Sequence, residues 1–190
     1  MKKKLIVVIV IILILITGLL LIINNNKYTK DELKFKREFE KLNSKYLKVN
    51  IPKDNNIEYV NSKELVNILK NKKAIILIGS SKSNKTRHIV EVLIHTVKCN
   101  CEDKIYYYDI KNSNKEITNL LNKKNNKDKI ENPSVIFTKD DNIESLETNN
   151  DTKKITESEV KALTKKYKKL IKELEKEDAP TCSIKPSDAC

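Results

Sequence analysis

The chain has 190 residues, with 38 Lys and Arg against 26 Asp and Glu, a formal net charge of +12, two Gly, four Cys and no Trp. Those totals exclude a collagen-like chain, a dense disulfide scaffold and a large multidomain enzyme. The hydrophobic 39% is spread unevenly, and the N-terminus holds a block too apolar for a soluble core.

Leu5 to Ile23 is an apolar run broken only by Thr17 and Gly18. At about 1.5 Å per residue it spans roughly 28 Å, the thickness of a bilayer's hydrocarbon core. Lys2, Lys3 and Lys4 precede it, so the positive-inside rule places the N-terminus in the cytoplasm and the rest outside. A cleaved signal peptide has a shorter apolar region and a small-residue cleavage site. Here the run ends in Leu-Ile-Ile-Asn-Asn-Asn. The expectation is a single-pass protein of the plasma membrane, held through residues 5–23, with an extracytoplasmic C-terminal part.

Removing Lys2 to Lys4 leaves that part with a charge of about +9, which favours attraction to anionic polymers or lipid headgroups. Nucleic acid is not an expected partner. The charge is scattered in Lys-Asn runs, no nucleic-acid-binding motif is present, and the compartment is wrong.

Thr29-x-x-Glu32 is a capping box, followed by a helical stripe of Leu33, Phe35, Phe39, Leu42 and Tyr46 to about Lys48. It reads as a stalk or an N-terminal helix, closed by Pro52. Ile57 to Val60 is a short strand, and Ser62 caps a helix bearing Leu65, Val66, Ile68 and Leu69. Ala74 to Ile78 is a continuous apolar run, as in a strand buried on both faces. A polar loop leads into a helix from Asn84 to Lys98 with Ile89, Val90, Leu93, Ile94 and Val97. Lys104 to Ile110 is a Tyr-rich strand, and Lys115 to Asn122 a short helix.

Lys123 to Lys129 reads as a loop. Ser134 to Thr138 and Ile143 to Leu146 form a hairpin around Asp140-Asp141-Asn142. Thr156-x-x-Glu159 caps a final helix with Val160, Leu163, Tyr167, Leu170, Ile171 and Leu174 on one face. The tail from Ala179 to Cys190 is irregular. The order predicts an α/β domain: flanking helices around a mixed sheet, with one parallel crossover and a terminal hairpin. Four segments result: a cytoplasmic tip and anchor (1–23), the N-terminal helix (24–50), the α/β domain (51–176) and a cysteine-bearing tail (177–190).

The loop Gly79-Ser80-Ser81-Lys82-Ser83-Asn84-Lys85-Thr86 fits two motifs. One is a phosphate-binding loop, G-x-x-x-x-G-K-[ST], with Lys85 and Thr86 in place but Asn84 where the second Gly belongs. This P-loop NTPase reading is the remote alternative. The other takes in more of the chain. The element order, with Glu131-Asn132-Pro133-Ser134-Val135-Ile136-Phe137, resembles the thioredoxin fold and its cis-proline segment. Ile57 through Leu174 is similar to the thioredoxin-like group that includes bacteriocin transport accessory proteins. In that group a strand ends in Ile-Gly, and C-x-x-C opens the next helix, often before a basic residue. Here Ile78-Gly79 and Ser80-Ser81-Lys82 precede Ser83-Asn84-Lys85-Thr86 and Arg87, and Ile105 to Asp109 resembles the next strand, with its acidic end.

The resemblance puts Ser83 and Thr86 at the two redox positions. Hydroxyls cannot form disulfides, so the usual thiol chemistry is absent there. What it still implies is an edge formed by Asn132, Pro133 and Ser134 with the helix N-terminus, able to hold an extended extracytoplasmic polypeptide through backbone hydrogen bonds. A scaffold with an idle site is the competing expectation.

Cys99, Cys101, Cys182 and Cys190 are even in number in an oxidising compartment, so disulfides are expected. The thioredoxin-like arrangement implies that the helix ending at Cys99 and the final helix end at one pole, so two bridges to the tail fit. A local Cys182–Cys190 bridge fits too, and a Cys99–Cys101 ring is strained. The bridges read as structural. The alternative function is thiol–disulfide exchange through these displaced cysteines. His88 and His95 are seven apart and read as polar-face residues. Tyr106 to Tyr108 read as alternating strand positions. No metal set, cofactor motif or Ser-His-Asp constellation is expected.

Overall fold

The computed structural model describes residues 28–71, 73–99, 104–125, 133–139, 142–147 and 156–175. The apolar segment 5–23, Asn132, Cys101, Cys182, Cys190 and the tail 177–190 lie outside the described residues. No helix among the described residues is long and apolar enough to cross a membrane.

The elements run α1 (Lys30–Glu40), β1 (Ile57–Tyr59), α2 (Ser62–Asn71), β2 (Ala74–Gly79), α3 (Asn84–Cys99), β3 (Ile105–Asp109), a short 3-10 turn (Ile110–Asn112), α4 (Lys115–Asn125), β4 (Ser134–Lys139), β5 (Asn142–Glu147) and α5 (Glu157–Glu175). The strands form one mixed sheet in the order β1-β3-β2-β4-β5. β3 lies parallel to both β1 and β2, while β4 is antiparallel to β2 and to β5. The α/β class, the mixed sheet, the crossover and the hairpin are as the sequence predicts.

Period-two geometry sorts the strand residues between two cores. Ile57, Ile75, Leu77, Ile105, Tyr107, Val135 and Phe137 meet α1, α3 and α5 on one face. Ile76, Ile78, Tyr108 and Ile136 meet α2 and α4 on the other. β2 is buried at every position, which accounts for its unbroken apolar run.

The structure alters four expectations. α1 is no free stalk: Phe35 and Phe39 are 0% exposed, stack 4.3 Å apart and belong to the core. It also ends at Glu40 rather than near Lys48. Beyond it Asn43 clasps Val49, donating to its carbonyl at 2.9 Å and accepting from its N–H at 3.0 Å, so the chain turns back. The cap of α2 is Asn61 rather than Ser62. The Asn61 side chain accepts from the N–H groups of Lys63 and Glu64 at 2.9 and 3.1 Å, and Glu64 returns a bond to its N–H. Ser62 instead pairs with the Tyr108 hydroxyl at 3.0 Å. Finally, Tyr107 and Tyr108 are both 0% exposed, because helices cover both faces of β3.

Candidate functional site

β2 delivers the chain to a four-residue connection, Ser80 to Ser83, before α3 begins. Ser83 N–H donates to the Ser80 carbonyl at 3.0 Å, closing a turn. Ser83 is the N-cap: its Oγ accepts from Thr86 N–H at 3.3 Å and its carbonyl from Arg87 N–H at 3.0 Å. The Thr86 Oγ1 in turn accepts from Ser80 N–H at 3.1 Å. Both hydroxyls at the expected redox positions are therefore engaged in holding the turn. Thr86 is fully buried, and Ser83 is half-buried.

Gly79 is required by this packing. A Cβ there would stand 2.6 Å from Thr86 Cγ2 and 2.7 Å from its Oγ1, and the threonine is walled in. The same contacts disfavour phosphate binding. The threonine hydroxyl that such a loop offers to a metal-bound phosphate is buried here, and Asn84 uses its Oδ1 on Leu47 N–H at 2.8 Å.

Ser134 pairs with Ile78 in the antiparallel ladder, so Pro133 falls one step beyond, at the level of Gly79. Pro133 and Ser134 are buried. The structure thus brings the start of β4 to the strand end from which Ser80 to Ser83 depart. Asn132 lies outside the described residues.

Arg87 is the residue whose role the sequence hides. It is 0% exposed. Nη1 donates to the carbonyls of Phe39 (2.9 Å) and Ser81 (3.0 Å), Nε to the Leu47 carbonyl and Nη2 to the Asn43 side chain. Its charge is solvated by carbonyl dipoles rather than by a bonded carboxylate. Burial lowers its pKa, and nearby Glu91 opposes the shift. The guanidinium ties the loop to the segment after α1, which is how a basic residue at this position sets the site's shape.

Glu38 supports the loop from the other side. Its carboxylate accepts from the Ser81 hydroxyl at 2.9 Å and the Tyr59 hydroxyl at 2.7 Å. Burial, then the bond to Glu38, push the Tyr59 phenol well above its ordinary range. Burial does the same to Tyr107, whose hydroxyl donates to the Gly79 carbonyl at 3.2 Å. Asp109, at the acidic end of β3, is 5% exposed and caps the following turn through Lys111 N–H at 3.0 Å. It pairs with Lys111 Nζ at 2.7 Å and raises that amine's pKa.

Cys99 closes α3, about 24 Å from the loop along a 16-residue helix. It is disulfide-bonded, and the other three cysteines are outside the described residues. Its sulfur lies 3.8 Å from Nε2 and 4.0 Å from Nδ1 of His95. The His95-x-x-x-Cys99 spacing carries that contact in the sequence, where the seven-residue step from His88 draws attention first. His88 is not a polar-face residue as expected: it is 8% exposed. No group of three or more His, Cys, Asp or Glu able to hold a metal occurs among the described residues.

No protein-family model matches the chain. No curated protein matches it either.

Proposed function

We propose that this is a single-pass membrane protein whose extracytoplasmic domain is thioredoxin-like and holds an extended polypeptide without exchanging thiols at the usual site. The observation that carries the reading is the meeting of the Ser80–Ser83 turn, the N-terminus of α3 and the Pro133–Ser134 start of β4 at one end of a β1-β3-β2-β4-β5 sheet. Such an end offers an extended peptide the positive pole of a helix dipole beside the ends of two strands. Ser83 and Thr86 supply no thiol, and their hydroxyls serve the turn. No cofactor and no nucleic acid enter this account.

The test is a photo-crosslinking residue placed at the exposed Lys82 of the full chain, presented with a library of unfolded polypeptides. Capture well above that of the same residue at exposed Lys70, at the far end of α2, supports the reading. Equal capture at the two positions removes it.

A second reading rests on the His95–Cys99 contact. An imidazole N–H beside a cysteine donates a hydrogen bond to its thiolate and makes it a better leaving group. On this reading the domain is an oxidoreductase working at the pole opposite the loop. With dithiothreitol as the electron donor, insulin reduction that the wild type accelerates and Cys99→Ser does not selects it over the first.

A further inference from the structure

The charges of α1 are segregated. Each acidic side chain turns toward the protein: Asp31 accepts from Tyr59 N–H at 2.9 Å, Glu32 from Thr29 N–H at 2.7 Å, Glu38 from the two hydroxyls named above, and Glu40 from Ile51 N–H at 3.0 Å. The exposed positions of the helix and its C-cap are Lys30, Lys34, Arg37 and Lys41. Their spacing forms one stripe, opposite the buried Phe35 and Phe39. None of the four is ion-paired among the described residues, and Lys34 rests over the Tyr59 ring at 3.6 Å.

α5 also carries lysines on its outer side. Tyr167, Leu170 and Ile171 face the core that α1 also joins, so both helices belong to one layer. Lys165 and Lys172 are exposed, without a carboxylate partner among the described residues, and line a surface hollow of about 550 Å³. Lys161 and Lys169, which line the same hollow, pair with Glu157 and Glu173, so Lys165 and Lys172 are the cations that α5 adds to this layer without a paired carboxylate among the described residues.

Its position relative to the apolar segment decides the partner. The stretch between Ile23 and Tyr28 reaches at most about 18 Å at roughly 3.5 Å per residue. That tether lets α1 approach a charged membrane surface to within the screening length of about 8 Å at physiological salt, and it confines the helix to the membrane's neighbourhood. A soluble polyanion has no such enforced proximity.

We infer that the stripe Lys30, Lys34, Arg37 and Lys41, extended by Lys165 and Lys172, docks the domain on anionic phospholipid headgroups of the bilayer that holds residues 5–23. The inference rests on the anchored reading above. Each cation facing such a surface strengthens the attraction by roughly fivefold.

The test uses the full chain in nanodiscs of phosphatidylcholine, with and without phosphatidylglycerol. Amine acetylation is read lysine by lysine by mass spectrometry. Integration is first checked by resistance to alkaline extraction. The expected result is several-fold slower labelling of Lys30, Lys34 and Lys41 in the anionic discs, abolished by high salt, with Lys70 unchanged. In the variant Lys30→Gln/Arg37→Gln/Lys41→Gln, protection of Lys165 and Lys172 should fall as well. Equal labelling in both discs, with the chain integrated, overturns the docking and leaves the anchor standing. A chain that fails to integrate overturns both. Equal protection in plain discs by a soluble polyglycerol phosphate, at matched phosphate, overturns the lipid assignment in favour of a polymer.

Discussion

Replacing Arg87 by methionine keeps much of its volume and removes its donors. Two of its bonds, to the carbonyls of Phe39 and Ser81, are fully buried at 2.9 and 3.0 Å, and those to Leu47 and Asn43 are partly buried. A hydrogen bond to a charged group contributes about 1.5–3 kcal/mol, and an orphaned buried acceptor costs about 1–3 kcal/mol. Removing a buried charge also returns part of its desolvation penalty. The expected net loss is therefore about 3 kcal/mol, and at roughly 4 °C per kcal/mol the domain's Tm should fall by about 12 °C. The chain has no Trp, so near-ultraviolet circular dichroism of its tyrosines in a urea titration is the suitable assay. Arg87→Lys retains the charge but cannot fork between Phe39 and Ser81, and should lose about half as much. A loss under about 1 kcal/mol for Arg87→Met would refute the view that this guanidinium holds the loop to the segment after α1.

Three further outcomes are expected. Tyr167 is wholly buried with a hydroxyl that lacks a hydrogen-bond partner among the described residues, so Tyr167→Phe should be neutral or stabilising by up to about 1–2 kcal/mol in the same titration, and a clear destabilisation would contradict the packing. Gly79→Ala drives a methyl against Thr86 and should cost about 1–3 kcal/mol. Adding Thr86→Ala should recover part of that cost, and simple additivity of the two changes would disprove the clash. Tyr59, Tyr107 and Tyr167 have raised folded pKa values, so their contribution is complete below about pH 10, the unfolded value, and is lost as pH rises. Absorbance titration at the phenolate band should show these phenols ionising together with unfolding, and smooth independent ionisation of every tyrosine before unfolding would refute their burial.

Much of the fold was legible because strong local signals agree with tertiary context. The unbroken run Ala74 to Ile78 marks the most buried strand, and Thr29 and Thr156 both cap helices through the boxes the sequence displays. The end of α1 was not legible, because the stripe continues to Tyr46 while Asn43 and Arg87, the latter distant in sequence, take up the backbone groups. Arg87 itself looks like a solvated charge until the fold surrounds it with carbonyls. The cap at Asn61 was masked by the equally suitable Ser62 beside it. In the site, Ser83 stands just before a helix, where a hydroxyl commonly serves as the N-cap. Its coupling to Ser80 through Thr86, and the support of Ser81 by Glu38, depend on contacts that no sequence spacing encodes.

The central claim is that a polypeptide is held at the sheet end shared by the Ser80–Ser83 turn and the Pro133 start of β4, and a single cysteine there tests it most directly. Ser83→Cys in the full chain, with its native cysteines oxidised, is reacted with an extended peptide bearing an activated disulfide and, separately, with a small disulfide. The ratio of the two rates removes the effect of the helix N-terminus on the thiol. The account predicts a ratio at least tenfold above that of Lys70→Cys, since binding raises the effective concentration of the peptide at its site. Equal ratios at the two positions would contradict it.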